Sequence, residues 1–230
     1  MSERRVASAH DLLRWSEALA GIARTGLGFT DNLYERERFE EVLRVAADMR
    51  VAAGLAPESE TAVQEWLSRV GEGVAGYVTP KVAVGAIVGN ENHEILLVQR
   101  SDSGAWLYPT GWADIGYSAS EVAVKEVLEE TGMEVEPTRL IAVLDGLRLG
   151  FTQIPLYSLV FHCRLLGGTL ARHPLECRDV GWFAEDTLPS GLAGAGRWEA
   201  QAFRAIRGEP LDVVFDTPRR PPWREHDLGP

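Results

Sequence analysis

The sequence predicts a mixed α/β domain preceded by a small helical one. Three observations carry this. Apolar residues recur at helical spacing through the first 70 or so positions, the texture turns to β-rich runs near residue 77, and an acidic helix follows a glycine-rich loop among those runs. A hydrophobic fraction of 45% with 25% charged residues is ordinary for a chain that buries a proper core.

In chain order, "HDLLRWSEALAGIA" sets Leu12, Leu13, Trp15, Leu19 and Ile22 at roughly helical spacing. "GLGFTDN" is expected to interrupt it, with Gly26, Gly28 and Asn32 as breakers. "LYERERFEEVLRVAADM" carries a second apolar stripe through Tyr34, Phe39, Val42, Leu43 and Ala46. A third helix around "ESETAVQEWLSRV" is closed by Gly71 and Gly73. The runs "KVAVGAIV" and "EILLVQR" then read as strands joined by a turn, "GNENHE". After the loop-rich "SDSGAWLYPTGWADIGYSAS" comes a helix at about 120–131, capped by Ser118 or Ser120 and stopped by Gly132. Strands follow at "RLIAVLDG", "LYSLVFHCRLL" and "DVGWFA", then a helix at "WEAQAFRAI". The expected organisation is a helical domain at 1–75, an α/β domain at 76–208 and a Pro/Arg-rich tail at 209–230.

The net charge of −11 counts against broad binding to nucleic acid or an anionic membrane, although a divalent metal can reverse the sign locally for a small anionic substrate. Cys163 and Cys177 alone make no disulfide framework and read as reduced thiols of a cytoplasmic protein. Asp11, Arg14 and Glu17 break any signal-like apolar run after MSERR, and no stretch approaches the ~18 apolar residues of a membrane span.

The informative stretch is "KEVLEETGM", residues 125–133. At about 100° per residue, Glu126, Glu129 and Glu130 share an arc of roughly 100° on one helix face. Like charges at that spacing repel, so the face is either solvated or built for something positive. The loop before it lacks the Lys-Ser/Thr of a P-loop and the G-x-G-x-x-G of a dinucleotide site. No His or Cys spacing suits zinc, and no G-x-S-x-G elbow is present. What remains is a set of oxygen ligands, carboxylates and loop carbonyls, suited to Mg²⁺ or Mn²⁺.

From Gly111 to Met133 the chain closely resembles the Nudix box, G-x5-E-x7-R-E-U-x-E-E-x-G-U, where U is bulky and apolar. Gly111 fills the first position, and Lys125, Glu126, Val127, Leu128, Glu129, Glu130, Thr131, Gly132 and Met133 run through the rest in register. The departures are Tyr117 for the first glutamate and Lys125 for the arginine, two residues that commonly pair in the family. Glu121, four residues before Lys125, is expected to supply a replacement brace. "YVTPKVAV", "DVGWFAEDTLP" and the N-terminal "GLGFTDNLYERERFEEV" resemble a Nudix branch with a helical extension, associated with hydrolysis of ADP-ribose- or CDP-choline-type compounds.

The resemblance implies a Nudix α/β/α sandwich with a mixed sheet, and Mg²⁺-dependent hydrolysis of a nucleoside diphosphate linked to another moiety, with ADP-ribose preferred to CDP-choline. It also implies metal ligands at Glu126, Glu129, Glu130 and the Gly111 carbonyl. The general base is Glu126 or Glu130 within the box or, as often in the family, a later loop glutamate, here Glu176 with Asp179 as runner-up. Arg100 is either a phosphate contact or a surface ion-pair residue; Trp112 and Tyr117 either stack on substrate or serve packing. The apolar faces of the N-terminal helices suggest a homodimer. Two rivals stand beside this reading: hydrolysis of nucleoside triphosphates or RNA ends, with long nucleic acid disfavoured by the charge, and a non-catalytic module that binds a nucleotide.

Overall fold

A reciprocal cap opens the first helix in the computed structural model, which describes residues 7–71, 78–114, 116–194 and 196–218. Ser8 Oγ accepts the Asp11 backbone N–H, and the Asp11 carboxylate accepts the Ser8 backbone N–H, so two end donors are satisfied together. Helix α1 spans Ala9–Phe29, α2 spans Leu33–Ala52 behind an Asn32 cap, and α3 spans Ser59–Ser68. The break expected at Gly26 and Gly28 does not occur, because α1 continues through both. A Cβ on Gly26 would lie 2.2 Å from the Phe39 ring of α2, so the missing methyl is what lets that ring seat against α1. This contact offsets the ~1 kcal/mol that a glycine costs inside a helix. Small residues (Ala20, Ala23, Ala46, Ala47) let the helices approach around Leu27, Leu43 and Trp66. The expected stop at Gly73 and the expected boundary at 75/76 lie outside the described residues.

The sheet begins with β1 (Lys81–Gly89) and β2 (Ile95–Arg100), joined by a turn in which His93 takes a positive φ of 61°. The loop-rich stretch contains two short strands that sequence patterning does not show, β3 (Trp106–Leu107) and β4 (Thr110–Trp112). Helix α4 (Ala119–Thr131) leads into β5 (Met133–Asp145), followed by a one-turn helix α5 (Gly146–Leu149) and β6 (Leu156–Gly168). Strand β7 (Cys177–Phe183), helix α6 (Glu199–Ile206) and β8 (Val214–Phe215) complete it. The order is β3-β2-β1-β6-β5-β8, with β4 on β1 and β7 on β2. Strand β5 pairs antiparallel with β6 and parallel with β8, so the sheet is mixed. Strand β8 lies inside the stretch read as a tail, where two residues between Pro210 and Pro218 give no periodicity to read; residues 219–230 lie outside the described residues.

Alternation along β1 and β2 sends side chains to opposite faces. Val84, Ala86, Val88 and Leu96 pack with Val122, Ala123 and Val127 of α4, whereas Ile87, Ile95 and Leu97 pack with Trp198 and Phe203 at α6. The result is an α/β/α sandwich. By compactness the chain divides into Met1–Lys81 with Gly146–Leu156, and Val82–Asp145 with Tyr157–Pro230. The 146–156 segment is thus grouped with the helical unit, although it lies between two strands of the sheet. Both cysteines are buried and free, and no described helix is long and apolar enough to cross a membrane.

Candidate active site

Helix α4 is held at both ends by its own sequence. Ser118 accepts the Glu121 N–H while the Glu121 carboxylate accepts the Ser118 N–H at 2.6 Å. At the other end Gly132 takes the left-handed conformation (φ 71°) and its N–H reaches Leu128 O at 2.9 Å. With Val122 and Val127 turned into the core, the i, i+4 pair Glu126 and Glu130 falls at the edge of that core, 8% and 4% exposed. Glu129 projects outward, its side chain 52% exposed.

Strand β4 runs against these acids. A Cβ on Gly111 would stand 2.2 Å from the Glu126 carboxyl carbon, so only glycine lets main chain and carboxylate come this close. The Thr110 N–H donates to Glu130 Oε2 at 3.0 Å, and the Thr110 hydroxyl donates to Val84 O at 2.9 Å, which pins the strand. Burial pushes the Glu130 carboxyl up to about 8; the Thr110 N–H opposes this, the charge of Glu126 adds to it, Arg100 opposes it and Glu176 adds to it. Burial likewise raises Glu126, against the opposing charge of Lys125, with Glu129 and Glu176 pushing it further up.

Lys125 does not pair with Glu121 as the sequence predicts. Glu121 is engaged in the N-terminal cap, and the Lys125 ammonium lies 3.1 Å from Glu129, 3.2 Å from Asp114 and 3.6 Å from Glu126. Bonding to Glu129, then to Asp114, raises its pKa well above the usual lysine range.

The loop before β7 is stitched to the C-terminal end of α4. Ala171 N–H donates to Thr131 O at 2.8 Å and His173 N–H donates to Glu130 O at 3.2 Å. Glu176 is then fixed from two sides, its carbonyl accepting the Ser101 N–H at 2.8 Å and its N–H donating to His173 Nδ1 at 3.2 Å. Its charge acts on both Glu126 and Glu130. Asp179 turns its carboxylate to the Val180 N–H at 2.9 Å.

Gly111, Glu126 and Glu130 therefore meet at the α4–β4 edge, Glu129 lies on the exposed face of α4, and Glu176 is near enough for its charge to act on both buried acids. Arg100 forms a two-bond ion pair with Asp102, at 3.0 and 2.7 Å, the alternative that its position at the strand end left open. Trp112 at the end of β4 and Tyr117 on the following loop are about half exposed, at 49% and 53%. Sequence reasoning missed Asp114, the Thr110 N–H and His173. All three act from loops or main chain, where no periodicity marks them; only Asp114, an acid in a loop beside an acidic helix, left any signal.

The donors suit a hard divalent cation: they are all oxygen, two of the acids are buried at a cost in charge, and the main chain at Gly111 is closely apposed. As they stand, no three His, Cys, Asp or Glu side chains among the described residues converge tightly enough to share one ion, and the Lys125 ammonium supplies the positive charge beside Glu126 and Glu129.

Most of the chain is similar to known proteins. Residues 79–205 match the NUDIX domain, and residues 10–63 match a UDP-X-like, N-terminal oligomerisation domain. YjhB of Bacillus subtilis (strain 168), whose name carries ADP-ribose pyrophosphatase as a proposed activity, is 35% identical over 179 residues, spanning 77% of this chain and 82% of YjhB. The crystal structure of an ADP-ribose pyrophosphatase from Streptococcus suis 89-1591 is similar, at 36% identity and a TM-score of 0.52, over 60% of this chain and all of that one. A UDP-X diphosphatase structure is similar over 91% of this chain and all of its own, at 28% identity and a TM-score of 0.54.

Proposed function

The chain belongs to the Nudix family, as a hydrolase acting on a phosphoric anhydride, and we propose that its substrate is a nucleoside diphosphate linked to a second moiety, ADP-ribose or a close analogue. Hydrolysis yields a nucleoside monophosphate and a phosphorylated moiety. The observation that supports this reading best is the pair of buried carboxylates, Glu126 and Glu130, set against the Gly111–Thr110 main chain, with Glu176 near enough for its charge to act on both.

Glu126, Glu129, Glu130 and the Gly111 carbonyl would hold Mg²⁺, with Mn²⁺ as an alternative. When bound, such an ion neutralises phosphate oxygens and acidifies water. The chain's own residues divide the remaining work. Glu176, exposed and fixed through its main chain, takes the proton of the attacking water, because Glu130 is already engaged by the Thr110 N–H. Arg100 contacts a substrate phosphate by exchanging Asp102 for it. Trp112 and Tyr117 present ring surface to the base or ribose. The N-terminal helices make the protein a homodimer through an exposed apolar set that includes Ile22, Phe29, Leu33 and Tyr34. The two reduced thiols accord with a cytoplasmic setting.

The test is a panel of ADP-ribose, CDP-choline, UDP-sugars, dinucleotides and nucleoside triphosphates with Mg²⁺, each run with wild type and Glu129→Gln. Turnover of ADP-ribose that is lost in the variant supports the reading. Preference for a UDP-linked compound, favoured by the UDP-X-like match of residues 10–63, would move the base specificity while keeping the chemistry. Saturable binding without turnover of any compound would replace it by a nucleotide-binding role.

A further inference from the structure

The contacts of Lys125 carry an inference about how the acids of α4 are kept available. Its ammonium is shared among three carboxylates, nearer to Glu129 (3.1 Å) and Asp114 (3.2 Å) than to Glu126 (3.6 Å). Asp114 is the one member of this set that comes from the loop after β4. Without it the ammonium would be left with Glu126 and Glu129 alone, the two acids beside it on the helix. A lysine ammonium is a compact charge on a flexible stem, so it settles wherever negative charge is densest.

We propose that Asp114 is a positioning residue that acts through Lys125. It draws the ammonium toward the loop, off close contact with Glu126, so that the Glu126 carboxylate is left to a divalent ion, and it ties the segment after Gly111 to the helix. The pair replaces, with an acid three residues earlier, the brace that Tyr117 cannot make. This rests on the reading of α4 as the metal-holding helix.

The test is Mn²⁺ binding to the full-length, substrate-free chain, followed by loss of the free-ion electron paramagnetic resonance signal. The variants are Asp114→Asn, Asp114→Glu, Lys125→Met, Asp114→Asn combined with Lys125→Met, and Glu126→Gln as reference. Asp114→Asn is expected to weaken binding about three- to fivefold, the range a partly exposed ion pair supports. Asp114→Glu restores it, and Asp114→Asn has no further effect once Lys125 is Met. Asp114→Asn binding like wild type overturns the proposal. So does an equal loss in both backgrounds, since Asp114 would then act on the ion directly. If Glu126→Gln binds Mn²⁺ as wild type does, the metal reading itself fails and takes the proposal with it.

Discussion

Replacing Glu130 by Gln should change how the stability of the metal-free protein depends on pH. Glu130 is 4% exposed, and burial moves its carboxyl from 4.5 to about 8. Because the folded pKa lies above the unfolded one, the folded state holds the proton to higher pH. The stability tied to the neutral acid is complete below about 4.5 and is lost as pH rises through about 8. At about 1.4 kcal/mol per pKa unit, the interval from 4.5 to about 8 corresponds to at most about 5 kcal/mol. Gln keeps an acceptor for the Thr110 N–H, 3.0 Å away in the wild type, but carries no proton to lose. Urea unfolding in a chelator at pH 5, 6, 7 and 8 is the assay. Wild type should weaken by up to about 1.4 kcal/mol per pH unit relative to Glu130→Gln across this range, so that the difference between them is largest near pH 8. The difference between the two proteins removes the contribution of His162, which burial lowers and which acts in the opposite sense, and reports Glu130 together with its coupling to Glu126. Parallel pH curves for the two proteins would refute the argument, because Glu130 would then carry no burial penalty.

Mg²⁺ should raise the melting temperature of wild type more at pH 8 than at pH 6, because the ligand form of a raised carboxyl is scarce at the lower pH; scanning calorimetry at the two pH values checks this. Gly111→Ala places a Cβ 2.2 Å from the Glu126 carboxyl carbon, and the far end of that side chain can yield, so turnover should fall at least about tenfold while stability changes by no more than about 1 kcal/mol. Gly26→Ala meets the Phe39 ring at 2.2 Å and should cost the helical unit about 1–3 kcal/mol, read by thermal melting. Leu33→Asp with Tyr34→Ser, at positions 79% and 82% exposed, should convert the proposed homodimer to monomer in light scattering, with circular dichroism unchanged.

The helical lead, the strand–loop–helix order and the acidic face of α4 were legible in the residues alone. These are local matters: a periodicity of 3.6 or 2, a serine that caps, a glycine that closes, and fixed residue types at fixed spacing. The sequence also singled out candidates for the chemistry, because Glu126, Glu129, Glu130 and Gly111 stand within one loop–helix unit. What it could not decide was set by contacts distant in sequence. Gly26 reads as a breaker until the Phe39 ring occupies the space above it, and β8 reads as tail until β5 offers an edge to pair with. Glu126 and Glu130 look equivalent to Glu129 on a helical wheel, yet packing on the sheet buries two and leaves the third in water, and that burial raises the proton affinity of Glu126 and Glu130. Helical spacing favoured Glu121 as the partner of Lys125, but a cap claimed Glu121 and a loop carboxylate took the lysine. Tertiary structure decided these cases because a charge responds to whatever field surrounds it, and that field comes from residues the chain brings back from elsewhere.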